Sequence, residues 1–186
     1  KTEQSDLMQA LYGRNGESPG IILASSTPAN CFDWAYIASK ITLEHNTPVI
    51  LLSDGYLGNG AEPWRIKSTI DMPEIHANIA IENEEYQPYA RNKETLARKL
   101  ALPGTKGLEH RIGGLEKEDI TGDVSYEANN HEKMVGIRAE KIKRITKLIP
   151  KQEVFGKEEG DLLVIGWGGT YGSLYLAVNN LLTKGE

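Results

Sequence analysis

Two short apolar runs, Ile21-Ile22-Leu23-Ala24-Ser25 and Val49-Ile50-Leu51-Leu52-Ser53-Asp54-Gly55, decide the fold. Each has the length of a buried strand. Between them Ser26-Thr27-Pro28 reads as a helix start, a hydroxyl cap followed by Pro in the first turn. Residues 29–44 follow as a helix of roughly four turns. Cys31, Trp34, Ala35, Ala38, Ile41 and Thr42 share one face, bordered by Phe32 and Tyr36, and Asn46-Thr47-Pro48 ends the helix. Strand, helix and strand in this order form a parallel βαβ unit. The apolar runs are continuous, which predicts a sheet covered on both faces. Ligands of such sheets sit beyond the carboxyl ends of the strands, here residues 25–27 and 53–56.

Outward from this unit the chain changes character. Leu7, Met8, Leu11 and Tyr12 fall at helical spacing after a capping Ser5 or Asp6, and Gly13-Arg14-Asn15-Gly16 closes that helix. Residues 57–130 are punctuated by Pro63, Pro73, Pro88 and Pro103, and no period persists. The stretch is too long for an ordinary loop, so it reads as a functional arm or linker. Trp64, Tyr86, Tyr89, Leu102 and Ile112 are its expected anchors, with order expected only where a neighbouring domain or subunit receives it. Met134, Ile137, Arg138, Lys141, Ile142, Ile145, Leu148 and Ile149 predict a helix over 131–149, closed by Pro150. Asp161-Leu162-Leu163-Val164-Ile165-Gly166 reads as a third buried strand. It is followed by the turn Gly166-Trp167-Gly168-Gly169-Thr170-Tyr171-Gly172. A helix over 173–183 then places Leu174, Ala177, Val178, Leu181 and Leu182 inward, as the opening βα unit of a second α/β domain. The expected organisation is an α/β domain over 1–58, an extended linker arm over 59–159 and the start of a second α/β domain over 160–186.

Composition narrows the function. The formal net charge is −5, with 21 basic against 26 acidic residues, which disfavours a nucleic-acid partner. One Cys allows no intrachain disulfide, so a reducing, cytoplasmic location is expected. The longest apolar runs are about five residues, against the ~20 of a membrane span. The chain opens at Lys1-Thr2-Glu3-Gln4 without an initiator Met and closes one helix after the third run, so it reads as an internal piece of a longer polypeptide.

Several sites compete. The turn at 166–172 places Gly166, Gly168 and Tyr171 where a dinucleotide fingerprint needs three glycines, so tight packing is the stronger reading. The glycine turns within 104–114 lack the Lys-Ser/Thr pair of a phosphate loop. His45, His76, His110 and His131 form no helical pair, and with a single Cys no zinc pattern exists. His131 reads as a helix cap. Cys31 lies near a helix start, but its apolar neighbours indicate an inert thiol. The hydroxyls at 25–27 have no nucleophile-elbow context and read as caps. Arg14, in a tight polar turn before a buried strand, either holds a carboxylate or phosphate bidentately or pairs with Glu17. Asp54, at a strand end, is a catalytic acid, a helix cap or a partner contact.

Five runs carry a resemblance: Lys1-Thr2-Glu3-Gln4-Ser5-Asp6-Leu7, Gly13-Arg14-Asn15-Gly16-Glu17, Thr47-Pro48 through Tyr56-Leu57, Pro103-Gly104-Thr105-Lys106-Gly107-Leu108-Glu109-His110-Arg111-Ile112-Gly113-Gly114-Leu115-Glu116, and Asn130-His131-Glu132-Lys133-Met134. Together they resemble the alpha subunit of 2-oxoacid:acceptor (ferredoxin) oxidoreductases, most closely the 2-oxoglutarate enzymes. The resemblance implies oxidative decarboxylation on thiamine diphosphate, transfer of the acyl group to coenzyme A, and passage of electrons through iron–sulfur clusters to ferredoxin. It implies that 1–58 ends a pyrimidine-binding domain and that 160–186 begins a transketolase-C-terminal-like domain. Thiamine diphosphate, magnesium and the clusters then belong to the whole complex, with a beta subunit as partner, and this piece alone binds none of them. It also implies that Lys1 faces the substrate carboxylate; Arg14, from its place in the polar turn, is the second expected substrate-binding cation. Asp54, Tyr56, Trp64, His110 and Arg111 are the expected interface residues. The competing expectation is a non-catalytic assembly module whose arm holds a partner subunit.

Overall fold

The computed structural model describes residues 5–111 and 113–185. Its elements are α1 (Asp6–Tyr12), β1 (Ile21–Ala24), α2 (Asn30–His45), β2 (Val49–Leu52), α3 (Gly55–Asn59), α4 (Ala128–Ile145) and α5 (Tyr171–Lys184). Strands β1 and β2 pair in parallel, Ile21 opposite Val49 through Ala24 opposite Leu52, with α2 as the crossover. The protein is thus a mixed α/β fold. Helix α2 ends at Asn46, whose left-handed conformation (φ 45°) turns the chain into Thr47-Pro48 and β2.

The core lies on one face of this sheet. Ile21 and Leu23 of β1 pack with Ile41 of α2 and Ile145 of α4. Trp34, Ile37, Val49, Leu51 and Ile142 surround them. Pleating sends Ile22 and Ala24 of β1 to the opposite face, where they are only half-buried. The expected cover on both faces is therefore present on one. Helix α4 begins at Ala128, ahead of the predicted start, and Leu148 at its far end is exposed. His131 consequently sits inside the helix, not at its cap, and its Nδ1 meets Glu116 at 2.6 Å.

The third apolar run departs from expectation. Residues 161–166 adopt no strand, and Leu162, Leu163, Val164 and Ile165 are exposed. A strand exists only where a neighbouring strand accepts from its N–H groups and donates to its C=O groups, and no described strand lies beside this run. Helix α5 begins at Tyr171 after a 3₁₀ turn over Gly168–Thr170. Leu174, Val178 and Leu182 form its half-buried face, while Ala177 and Leu181 point outward.

The arm is irregular but stitched. Asn78 donates its N–H to Leu43 O at 3.1 Å and accepts that of Leu100 at 2.8 Å. Tyr89 N–H donates to Ile120 O at 3.0 Å, and Asn92 caps the turn that follows through the N–H groups of Glu94 and Thr95. Tyr86 packs edge-on against His110 at 5.3 Å.

His45, at the end of α2, is buried and its Nδ1 has no hydrogen-bond partner among the described residues. Burial lowers its pKa below the ordinary 6.5; Glu44 opposes this, while Lys141 and Lys40 add to it. The folded chain therefore keeps His45 neutral where the unfolded chain takes up a proton. Stability falls as pH drops through the window below about 6.5 and is unaffected above it. Thermal unfolding of the full-length protein in neutral and mildly acidic buffer checks this: His45→Leu is expected to lose less stability on acidification than the wild type.

Candidate functional site

The carboxyl ends of β1 and β2 meet the glycine-rich turn through one side chain. Asp54 follows β2, and its Oδ1 accepts the Leu57 N–H at 2.9 Å, capping α3. Its Oδ2 accepts the Gly169 N–H at 2.6 Å, across 115 residues of sequence. Both bonds favour the carboxylate, so its pKa lies below the ordinary value, with the Leu57 N–H the larger cause and Gly169 the next. What the clamp contributes is complete above the ordinary carboxylate pKa. It is lost as pH falls through the lowered folded value.

Two of the turn's glycines, Gly168 and Gly169, lie against this contact. Gly168 is left-handed (φ 66°), and a Cβ on Gly169 would stand 2.5 Å from Asp54 Oδ2. The backbone is held so close to the carboxylate that a larger residue would have to displace it. The tight-packing reading of the turn is therefore the one the geometry displays.

Around the same sheet edge, Ser25 is 0% exposed and its Oγ has no hydrogen-bond partner among the described residues. At the first residue of α2, Asn30 Oδ1 accepts the N–H groups of Ser26 and Thr27, each at 3.1 Å, and its Nδ2 donates to Ser26 Oγ at 2.8 Å. Glu62 then reaches back from the arm. Its Oε1 accepts the Thr27 hydroxyl at 3.1 Å and the Ala29 N–H at 2.9 Å. The positive end of the helix dipole is thus occupied by the chain's own carboxylate. Cys31 Sγ is turned to Thr27 O at 3.5 Å.

The sequence-predicted site residues are dispersed. Lys1 lies outside the described residues. The Arg14 guanidinium closes the turn after α1, donating to Ala10 O at 2.6 Å, Ser18 Oγ at 2.8 Å and Ser18 O at 3.0 Å. Glu17 pairs instead with Arg138 of α4. Tyr56 projects from α3 into solvent, and Trp64 packs against Phe32 at 5.2 Å. Asp54, Tyr56 and Trp64 therefore share the region around the carboxyl edge. His110 Nδ1 lies 2.9 Å from Leu108 O, and Arg111 is exposed. Sequence reading missed Asn30 and Glu62. The spacing of Ser26 and Asn30 carried a local capping signal, whereas Glu62 acts across more than thirty residues and carried none.

A parallel βαβ unit with a glycine turn clamped to its carboxyl edge defines an α/β protein of the class whose ligands gather at that edge. Residues 1–130 match the family described as "Pyruvate flavodoxin/ferredoxin oxidoreductase, thiamine diP-bdg", and the chain belongs to it. Over its whole length the chain is 52% identical to the 2-oxoglutarate oxidoreductase subunit KorA of Mycobacterium tuberculosis, covering 28% of that protein. It is 25% identical to the 2-oxoglutarate synthase subunit KorA of Methanothermobacter marburgensis, over 98% of this chain and 48% of that one. Its fold superposes with a TM-score of 0.84 and 30% identity on 2-oxoglutarate:ferredoxin oxidoreductase from Magnetococcus marinus, solved with 2-oxoglutarate, coenzyme A and succinyl-CoA bound. That match covers 98% of this chain and 32% of the other. The chain thus spans less than half of each of these relatives.

The start of α2 is not open to a diphosphate, because Glu62 already fills it. Among the described residues no group of three or more His, Cys, Asp or Glu is placed to hold a metal ion.

Gly169→Ala is expected to displace the Asp54 carboxylate and lower the thermal stability of the full-length protein. Gly172→Ala, three residues on, inside α5 and with open space around it, is the control and is expected to lose no stability. Paired melting curves check this.

Proposed function

We propose that the full-length protein is the alpha subunit of a 2-oxoglutarate:ferredoxin oxidoreductase, converting 2-oxoglutarate and coenzyme A to succinyl-CoA and CO₂. The observation that carries this reading is 52% identity to a 2-oxoglutarate oxidoreductase subunit along the entire chain. On this reading thiamine diphosphate supplies the decarboxylation chemistry, its magnesium is held by a beta subunit, and iron–sulfur clusters pass electrons to ferredoxin. This chain contributes scaffold. Asp54 sets the carboxyl edge, Glu62 and Asn30 fix the start of α2, and the arm reaches a partner subunit. Lys1 and Arg14 are the substrate-side cations of the proposal, Arg14 through the N–H capacity left over from its turn-closing bonds.

The test is viologen reduction by the full-length protein co-expressed with its neighbouring subunits. Reduction that needs both 2-oxoglutarate and coenzyme A supports the reading. Reduction with another 2-oxoacid in its place overturns the substrate, and no reduction with any 2-oxoacid overturns the class.

One observation favours a second, compatible role in assembly. The arm carries apolar side chains that nothing in the described chain covers: Ile66 is 80% and Ile70 92% exposed, near the half-exposed Trp64. Exposed apolar groups gathered in one segment mark an interface. With Tyr56, His110, Arg111 and Asp54 they form the proposed contact with the beta subunit. Ile66→Glu and Ile70→Glu, which bury nothing here, are expected to leave the subunit folded and reduce co-purification of its partner. Unchanged co-purification would remove the arm from the interface.

A further inference from the structure

A cavity of about 540 Å³ opens between α4 and two segments of the arm, residues 89–98 and 113–117. Its size is that of a small-molecule site. Five cations line it: Arg91, Arg98, Lys117, Arg138 and Lys141; Glu116 is the single acid. The floor is apolar, with Met134, Ile137 and Ile142 from α4.

The charges do not cancel. Arg91 meets Asp119 at 2.5 Å, but Asp119 also serves Lys133 at 2.8 Å. Arg138 is shared between Glu17 and Glu116. Arg98, Lys117 and Lys141 have no carboxylate partner among the described residues. Arg98 stacks over the Tyr89 ring at 4.2 Å and donates to Pro88 O at 3.1 Å. Lys117, 4% exposed, donates to Leu115 O at 2.8 Å, and Lys141 donates to Asn46 O at 3.0 Å. Carbonyls orient these groups without neutralising them. Moreover Arg91 and Arg98 stand directly opposite each other in an antiparallel bridge, an arrangement of like charges that destabilises a pair of strands.

A backbone that gathers uncompensated cations around a cavity is organised for an anion. We propose that this cavity binds a small oxyanion bearing two or more negative charges on phosphate or carboxylate groups, held by Arg98, Lys117 and Lys141. Arg98 offers a planar fork for two oxygens, and the two lysines serve as point charges. Burial, reinforced by Arg98 and Arg91, pushes the Lys141 amine down to about 8, which agrees with an anion being the missing neighbour. The proposal stands apart from the oxidoreductase reading, since none of its residues belongs to the carboxyl edge of the sheet.

Calorimetric titration of the full-length protein in its complex, at fixed ionic strength, tests it with two probes, inorganic pyrophosphate and citrate. Wild type is expected to bind at least one. Arg98→Gln and Lys141→Gln are each expected to weaken binding at least about tenfold, the loss of one charge-assisted contact. Lys99→Gln, an exposed neighbour paired with Glu84, is expected to change nothing. Tighter pyrophosphate binding assigns a phosphate ligand, and tighter citrate binding a carboxylate one. A second readout needs no variant: the bound probe is expected to slow acylation of Lys141 relative to Lys99. Two results overturn the proposal. One is binding of neither probe; if partner co-purification is also lost in the variants, a partner's carboxylates are the occupant. The other is binding that survives both substitutions or that leaves Lys141 unprotected.

Discussion

One carboxylate ties this chain's distant parts together. Asp54 takes an N–H from the first turn of α3 and another from a glycine turn 115 residues downstream. An N–H at a helix start has no partner within the helix, so the first bond fixes how the chain leaves β2. The second locates the downstream segment against the end of the sheet. Ionised, Asp54 serves both at once, because a carboxylate accepts through each of its oxygens.

The rest of the architecture supports that junction. The core of Ile21, Leu23, Ile41 and Ile145 joins the sheet to α2 and α4, and α4 in turn anchors the arm through Arg138 and Arg144. Glu62 closes the start of α2 from the arm side. The carboxyl edge, where ligands of parallel sheets gather, is therefore built by residues far apart in sequence and joined by side-chain to backbone bonds. That division suits the proposed role: a chain that shapes one wall of a site whose diphosphate and metal are held elsewhere.

The legible parts of the sequence were those with a period. The βαβ unit follows from two apolar runs around an amphipathic helix, and α4 from its three- and four-residue spacing. The run Leu162–Ile165 shows the limit of that logic. Apolar residues declare that they belong in an interior, but the neighbour that would bury them has to come from elsewhere, and in this chain they stay exposed. Likewise the glycines at 168 and 169 were visible as a packing turn, but what they pack against was not. Glu62, the Asp54–Gly169 bond and the cation-lined cavity all depend on pairings across the fold, for which spacing offers no signal. Arg14 was legible as a polar turn residue, and only the folded chain shows its guanidinium closing that turn on Ala10 and Ser18.

The most direct measurement is amide hydrogen exchange at Leu57 and Gly169 in the full-length protein, wild type against Asp54→Ala. A single carboxylate holding both amides requires both to be protected in the wild type and both to exchange faster in the variant. Gly169 exchange that is fast in the wild type, or unchanged in the variant, would contradict the claim that Asp54 joins the glycine turn to the end of the sheet.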